Sequence, residues 1–247
     1  MSAGLEGLLL DLAGHAQSAG VGLPRAYEAA VAKRGMAVVT DFLRDRFGGA
    51  SPLSWHKRLP AVAWEAIWTF NIDDTIEHAY RGAARPVQQF GVHLWQDPPC
   101  HFGGLTGEVP IIHLHGYVGE VNQRSEPQLV FALQEYLSAV RQADRPTQQT
   151  RFRGEYSTMP AIIVGAVLRD EVDFAEVIRG VNTASRHGYP SLVVLPEFSD
   201  LERDEYERWG LLPVPATAQD FFQYLLDAVE ASGADHDNGL YTSRYTQ

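Results

Sequence analysis

The sequence predicts an α/β fold built on a doubly wound, mostly parallel sheet, and three observations carry that prediction. The runs AIIVGAVL (161–168) and SLVVLP (191–196) are apolar without alternation, as strands buried on both faces are. A helical pattern follows each run, and strand alternating with helix is the signature of such sheets. The chain has 247 residues, 45% of them hydrophobic, which suits one sizeable domain with a real core.

The elements follow in order. Leu5, Leu8, Leu9, Leu12 and Ala13 recur at helical spacing, so residues 4–17 are expected to form a helix. Two or three more helices are expected to about residue 63, punctuated by Gly35 and by Gly48 and Gly49. No stretch before residue 64 resembles a strand buried on both faces. The first strand is WEAIWTFN (64–71). A short helix, TIEHAYRG (75–82), follows, with Asp73 or Asp74 able to cap it and Gly82 to end it. PVQQF (86–90) is a short strand, and residues 95–109, with two Pro and three Gly, form a loop. PIIHLHGYVGE (110–120) is a strand running into a glycine turn. LVFALQEYLSAV (129–140) begins extended and becomes helical, and a polar stretch fills 141–158.

In the last third, the strand at 161–168 leads to a helix over 172–187, with Phe174, Val177, Ile178 and Val181 on one face and Gly188 beyond it. The strand at 191–196 precedes a charged helix, 201–210, stopped by Gly210. LLPV is a short strand, and Thr217 caps a helix through Phe221, Phe222, Leu225, Leu226 and Val229. The expected organisation is one domain over 1–231, mostly helical to 63 and sheet-forming from 64, with a frayed polar tail from 232.

Composition narrows the function. With 20 basic and 31 acidic residues the net charge is −11, which argues against direct nucleic-acid binding. Cys100 is the only cysteine, so no internal disulfide and no four-cysteine zinc site can form, and a cytoplasmic location is expected. The apolar runs are far too short to span a bilayer, and the first residues lack the basic region and long apolar core of a signal peptide.

In open α/β sheets, ligands collect beyond the carboxyl ends of the strands. Three stretches place polar or glycine residues there. They are Thr69-Phe70-Asn71-Ile72-Asp73, His113-Leu114-His115-Gly116, and the segment from Gly165 to Asp170. Asp73 or Asp74 is expected to cap the following helix, but a cap does not require Thr69 and Asn71 upstream as well. Ile111, His113 and His115 share one strand face. His115, beside Gly116 at the strand's exit, is the candidate acid or base, and His113 is expected to be structural. An alternative makes His113 and His115 metal ligands, with Cys100 or His101 completing the set. Gly165 either relieves packing or lines a ligand, and Asp170 or Asp173 is expected to cap the next helix.

Taken in order, TFNIDDTIEHAY, IIHLHG, LVFALQEY and IIVGAVLRDEVDF resemble the sirtuin-like superfamily, nearest the divergent domains of bacterial NAD-consuming defence proteins. The resemblance runs from the first residues to about Ala231. It implies a Rossmann-type sheet with a variable helical region, and NAD as substrate, cleaved at its nicotinamide–ribose bond. It places Asn71 beside the nicotinamide ribose, ordering the attacking water, with His115 as the catalytic histidine. Ile72 and Asp73 contact the carboxamide, and Gly165 and Val167 line the phosphate and ribose side. Thr69 and Gly116 complete the cofactor-binding set. A catalytically inactive module that binds NAD or ADP-ribose, or mediates assembly, is the alternative.

The resemblance also implies a homo-oligomer or an attached defence domain as partner. This sequence departs from the superfamily in three ways. The four zinc cysteines of deacetylases are missing, so no metal is expected. Val167 stands where a serine is common. The first central strand and its Gly-Ala-Gly-x-Ser phosphate loop are absent, so a longer natural product is expected.

Overall fold

The computed structural model describes residues 2–15, 21–95, 97, 107–119, 129, 148–166, 168, 172–181 and 189–231. Val167, Cys100, His101, Asp170, residues 130–140 and the tail from 232 lie outside them. The chain forms two compact units, Met1–Pro52 with Ala63–Thr147, and Leu53–Val62 with Gln148–Gln247.

The first unit opens with three helices, α1 (Ser2–Ala13), α2 (Leu23–Arg34) and α3 (Met36–Phe47). Leu5, Leu9 and Ala13 fall four residues apart, one stripe of α1, and bury against Ala26, Tyr27 and Ala30 of α2 and Val39 and Leu43 of α3. Gly35 joins α2 to α3. Its N–H donates to the Val31 carbonyl at 2.8 Å and its own carbonyl accepts from Val39 at 3.3 Å, so one residue ends one helix and starts the next. Its φ of 84° is the left-handed conformation that favours glycine. Ile72 and Val118 belong to the same apolar cluster, which seats the later strand ends on this helical layer.

Three parallel strands follow, β1 (Ile67–Thr69), β2 (Gln89–Leu94) and β3 (Glu108–His113), in the order β1-β3-β2. Helix α4 (Thr75–Arg81) comes directly after β1. The register pairs Thr69 with His113, and Leu94 with His113, so all three strands end at one level. In β3, Val109, Ile111 and Ile112 are all buried, which accounts for its unbroken apolar run. The second strand begins three residues later than the sequence suggests. The buried side chain of Gln88 takes the place of a strand residue there: its amide accepts from Trp64 N at 2.7 Å and donates to Trp64 O at 2.9 Å. The expected loop at 95–109 also runs too far, since β3 already begins at Glu108. Among the described residues no strand precedes β1.

The second unit contains α5 (Gln148–Thr158), β4 (Ile162–Val164), α6 (Val172–Gly180), β5 (Ser191–Leu195), α7 (Asp200–Arg208), β6 (Leu211–Pro215) and α8 (Ala218–Ala231). Its strands are parallel, in the order β4-β5-β6. Val177, Ile178, Val193, Leu195, Tyr206 and Leu211 make its core. Pro213 and Pro215 sit in β6, which pairs only with β5 among the described strands, an edge position that tolerates proline. Ser199 and Glu202 form a reciprocal capping box for α7, and Thr217 Oγ1 accepts from Asp220 N at 3.1 Å to cap α8 as expected. The segment His56–Ala61 is a 3₁₀ helix held to α8 by Trp55 stacked on Phe222 at 4.8 Å and by Arg58 paired with Asp227 at 2.8 Å.

Helix α5 falls in the polar stretch that the sequence left without structure. Two aromatic rings four residues apart hold it, Phe152 against Phe174 at 4.9 Å and the buried Tyr156. The alternation of parallel strands with helices is Rossmann-like, with the ladders among the described residues forming two three-stranded sheets.

Candidate functional site

Beyond β1 the chain passes through Phe70, Asn71, Ile72, Asp73 and Asp74 before α4 begins. Thr69 is buried, and its hydroxyl accepts from Asn71 N at 3.0 Å. Its carbonyl accepts from Leu114 N at 2.9 Å, carrying the β1–β3 ladder one step past the strands. The Asn71 carbonyl accepts from His113 Nδ1 at 2.9 Å. Asn71 is therefore pinned through both backbone groups while the residue itself stays exposed. Ile72 turns inward, 4% exposed in the helical core, and its carbonyl accepts from Val118 N at 2.8 Å.

Either carboxylate was expected to cap α4, and the structure divides the work between them. Asp74 occupies the residue before α4 but makes no side-chain cap bond. Instead Oδ2 accepts from Gly49 N at 3.0 Å and Oδ1 from Ala50 N at 3.2 Å, tying the end of α3 to the end of β1. His78 closes the same clamp, with Nδ1 3.0 Å from the Ala50 carbonyl and Nε2 3.5 Å from Asp74. The local turn falls to Asp73, whose Oδ1 accepts from Thr75 N at 3.1 Å. The division has a simple cause: two backbone N–H groups left over past α3 are within reach of Asp74 and need an acceptor.

On β3, His113 is wholly buried and engaged at both ring nitrogens, by the Asn71 carbonyl and by Glu77 Oε1 at 2.7 Å. A metal could bind it only by displacing one of those partners. The Tyr117 ring packs on the imidazole at 4.4 Å. Burial, reinforced by the Glu77 charge, holds the Tyr117 hydroxyl above the ordinary phenol range, with Arg81 acting in the opposite direction. His115 is half-buried, its ring 5.3 Å from that of Phe70. Gly116 follows with a φ of 91°, so the chain turns there as only glycine does readily.

Asn71 and His115 each lie two residues past the paired Thr69 and His113, on neighbouring strand ends. The fold thus brings Thr69, Asn71, Ile72, Asp73, His115 and Gly116 to one end of one sheet. Gly165 lies in the other unit, at the end of β4, where its N–H donates to Val194 O at 3.0 Å and its φ is 68°. Val167 lies outside the described residues.

Glu77 is the participant that sequence reasoning missed. It stands three residues after Asp74 at a helix start, where a glutamate reads as half of a capping box. Only its complete burial reveals the other role.

A family model for the SIR2-like domain matches residues 65–214, more than half of the chain. It takes in the ends of β1 and β3 and the whole of β4 to β5. No curated protein matches the chain.

Proposed function

The chain belongs to the SIR2-like domain family, and from that premise we propose that it is an NAD glycohydrolase that breaks the nicotinamide–ribose bond. The observation that supports this most is Asn71, an exposed amide on a backbone fixed at both N–H and C=O, beside His115. A neutral amide suits this chemistry because the departing group leaves a cationic, oxocarbenium-like ribose that a dipole can stabilise. In the proposed reaction the bond from ribose C1′ to the pyridinium nitrogen breaks and its electron pair returns to the ring, releasing neutral nicotinamide. Water, ordered by the Asn71 amide, adds to C1′, and His115 takes its proton. In this reading Asp73 and Thr69 stand on the nicotinamide side, and Gly116 lets the nucleotide approach β3.

The proposal extends to bacterial anti-phage defence in the cytoplasm, as a homo-oligomer or with a further defence domain. No described helix is long and apolar enough to cross a membrane. Incubation with NAD, followed by chromatography, tests the activity. Nicotinamide and ADP-ribose should appear in equal amounts. NAD recovered intact would overturn the enzyme, leaving the inactive binding module where NAD binds and the assembly module where it does not.

A further inference from the structure

This inference rests on the reading of Asn71 as the residue that orders the attacking water. We propose that Glu77 and His113 are a buried positioning pair: Glu77 holds the imidazole in the form that carries a proton on Nδ1, and that N–H fixes Asn71.

The proton inventory leads to this assignment. A carbonyl oxygen only accepts, so the 2.9 Å contact between His113 Nδ1 and the Asn71 carbonyl requires the proton on Nδ1. Which ring nitrogen is protonated is set by the partner of the other one. Here that partner is Glu77 Oε1, 2.7 Å from Nε2, and both side chains are wholly buried. A proton between Nε2 and Oε1 can rest on either atom, and in both states Nδ1 keeps its own. The Tyr117 ring, packed at 4.4 Å, limits rotation of the imidazole.

Stability alone is a poor explanation for this arrangement. A buried acid–base pair commonly contributes little net stability compared with apolar side chains of the same volume. This one also leaves Glu77 Oε2 buried with no hydrogen-bond partner among the described residues. Among the described residues, the ring's other polar contact is the carbonyl of Asn71. With the Thr69 hydroxyl on the Asn71 N–H, the pair fixes the peptide planes on both sides of that residue, and hence the direction in which its amide leaves the strand end.

Conservative and disruptive variants separate positioning from mere packing. In Glu77→Gln the new amide donates to Nε2, Nδ1 keeps its proton, and the Asn71 bond survives. In Glu77→Leu the volume is kept, but Nε2 loses its partner and only the Asn71 carbonyl is left to hold the ring. The expected result is kcat for nicotinamide release within about threefold of wild type for Glu77→Gln, and about 100-fold lower for Glu77→Leu with KM for NAD little changed. Hydrogen exchange at the Asn71 amide should accelerate in Glu77→Leu and not in Glu77→Gln. A folded Glu77→Leu protein with wild-type kcat and exchange would overturn the proposal, as would a Glu77→Gln protein as impaired as Glu77→Leu.

Nitrogen NMR of the wild-type imidazoles adds a readout that needs neither turnover nor a folded variant. His113 should show a protonated Nδ1 at neutral pH, and a bare Nδ1 would sink the assignment. Failure of wild-type NAD cleavage would therefore remove the glycohydrolase reading while the tautomer and exchange data still decide the pair.

Discussion

Replacing Asp74 by alanine separates a tether from a helix cap. A cap would lose about 1 kcal/mol on such a change. The structure gives Asp74 a larger task, because its carboxylate accepts from Gly49 N at 3.0 Å and Ala50 N at 3.2 Å, and the residue is only 7% exposed. Bonds to a charged acceptor contribute about 1.5–3 kcal/mol each. The second bond is long, so the lower figure applies, and the two together come to about 3 kcal/mol. Truncation also leaves both N–H groups without this acceptor and deprives His78 of its neighbour 3.5 Å away.

The assay is urea unfolding followed by circular dichroism, with hydrogen exchange at the Gly49 and Ala50 amides as the local readout. Asp74→Ala should lower stability by about 3 kcal/mol and speed exchange at both amides, whereas Asp73→Ala, which loses one turn bond, should cost about 1 kcal/mol. A cost for Asp74→Ala no greater than that of Asp73→Ala, with Gly49 exchange unchanged, would refute the tether.

Two further outcomes follow from the second unit. The Asp227 carboxyl is held below its ordinary range, first by the Gln223 amide and then by Arg58. Its contribution is therefore present above the ordinary carboxylate range and is lost as pH falls through the lowered value. Carbon-detected NMR titration should show the Asp227 pKa rising in both Gln223→Ala and Arg58→Met, and more in the first. Gly165→Ala meets open space at Cβ but a φ of 68°, so thermal or urea unfolding should show only the backbone penalty, about 1 kcal/mol.

Much of the architecture was legible because the sequence carries strong periodic signals there. The Leu5–Leu9–Ala13 stripe, the unalternated run through Val193 and Leu195, and Thr217 ahead of its helix each depend on local spacing, and each appears as expected. Helix α5 was hidden because Phe152 and Tyr156 are too few to write a stripe. The start of β2 was displaced because the Gln88 side chain substitutes for a strand residue, which composition does not reveal.

At the candidate site the strand-end positions of Asn71, His115 and Gly116 could be read from pattern. The division of work between Asp73 and Asp74, and the burial of Glu77 against His113, could not. Both are set by groups 24 to 36 residues away along the chain. Tertiary partners of that kind leave no trace in local spacing.

The central claim is that the Asn71 amide acts on the ribose of NAD from a scaffold that does not depend on it. The rate of nicotinamide release at saturating NAD, measured for wild type and Asn71→Ala alongside their melting temperatures, tests this directly. Asn71 is exposed and its backbone bonds survive the substitution, so stability should change by no more than about 0.5 kcal/mol. The account predicts a loss of about 100-fold or more in rate at an unchanged melting temperature. An Asn71→Ala protein that releases nicotinamide at the wild-type rate would contradict it.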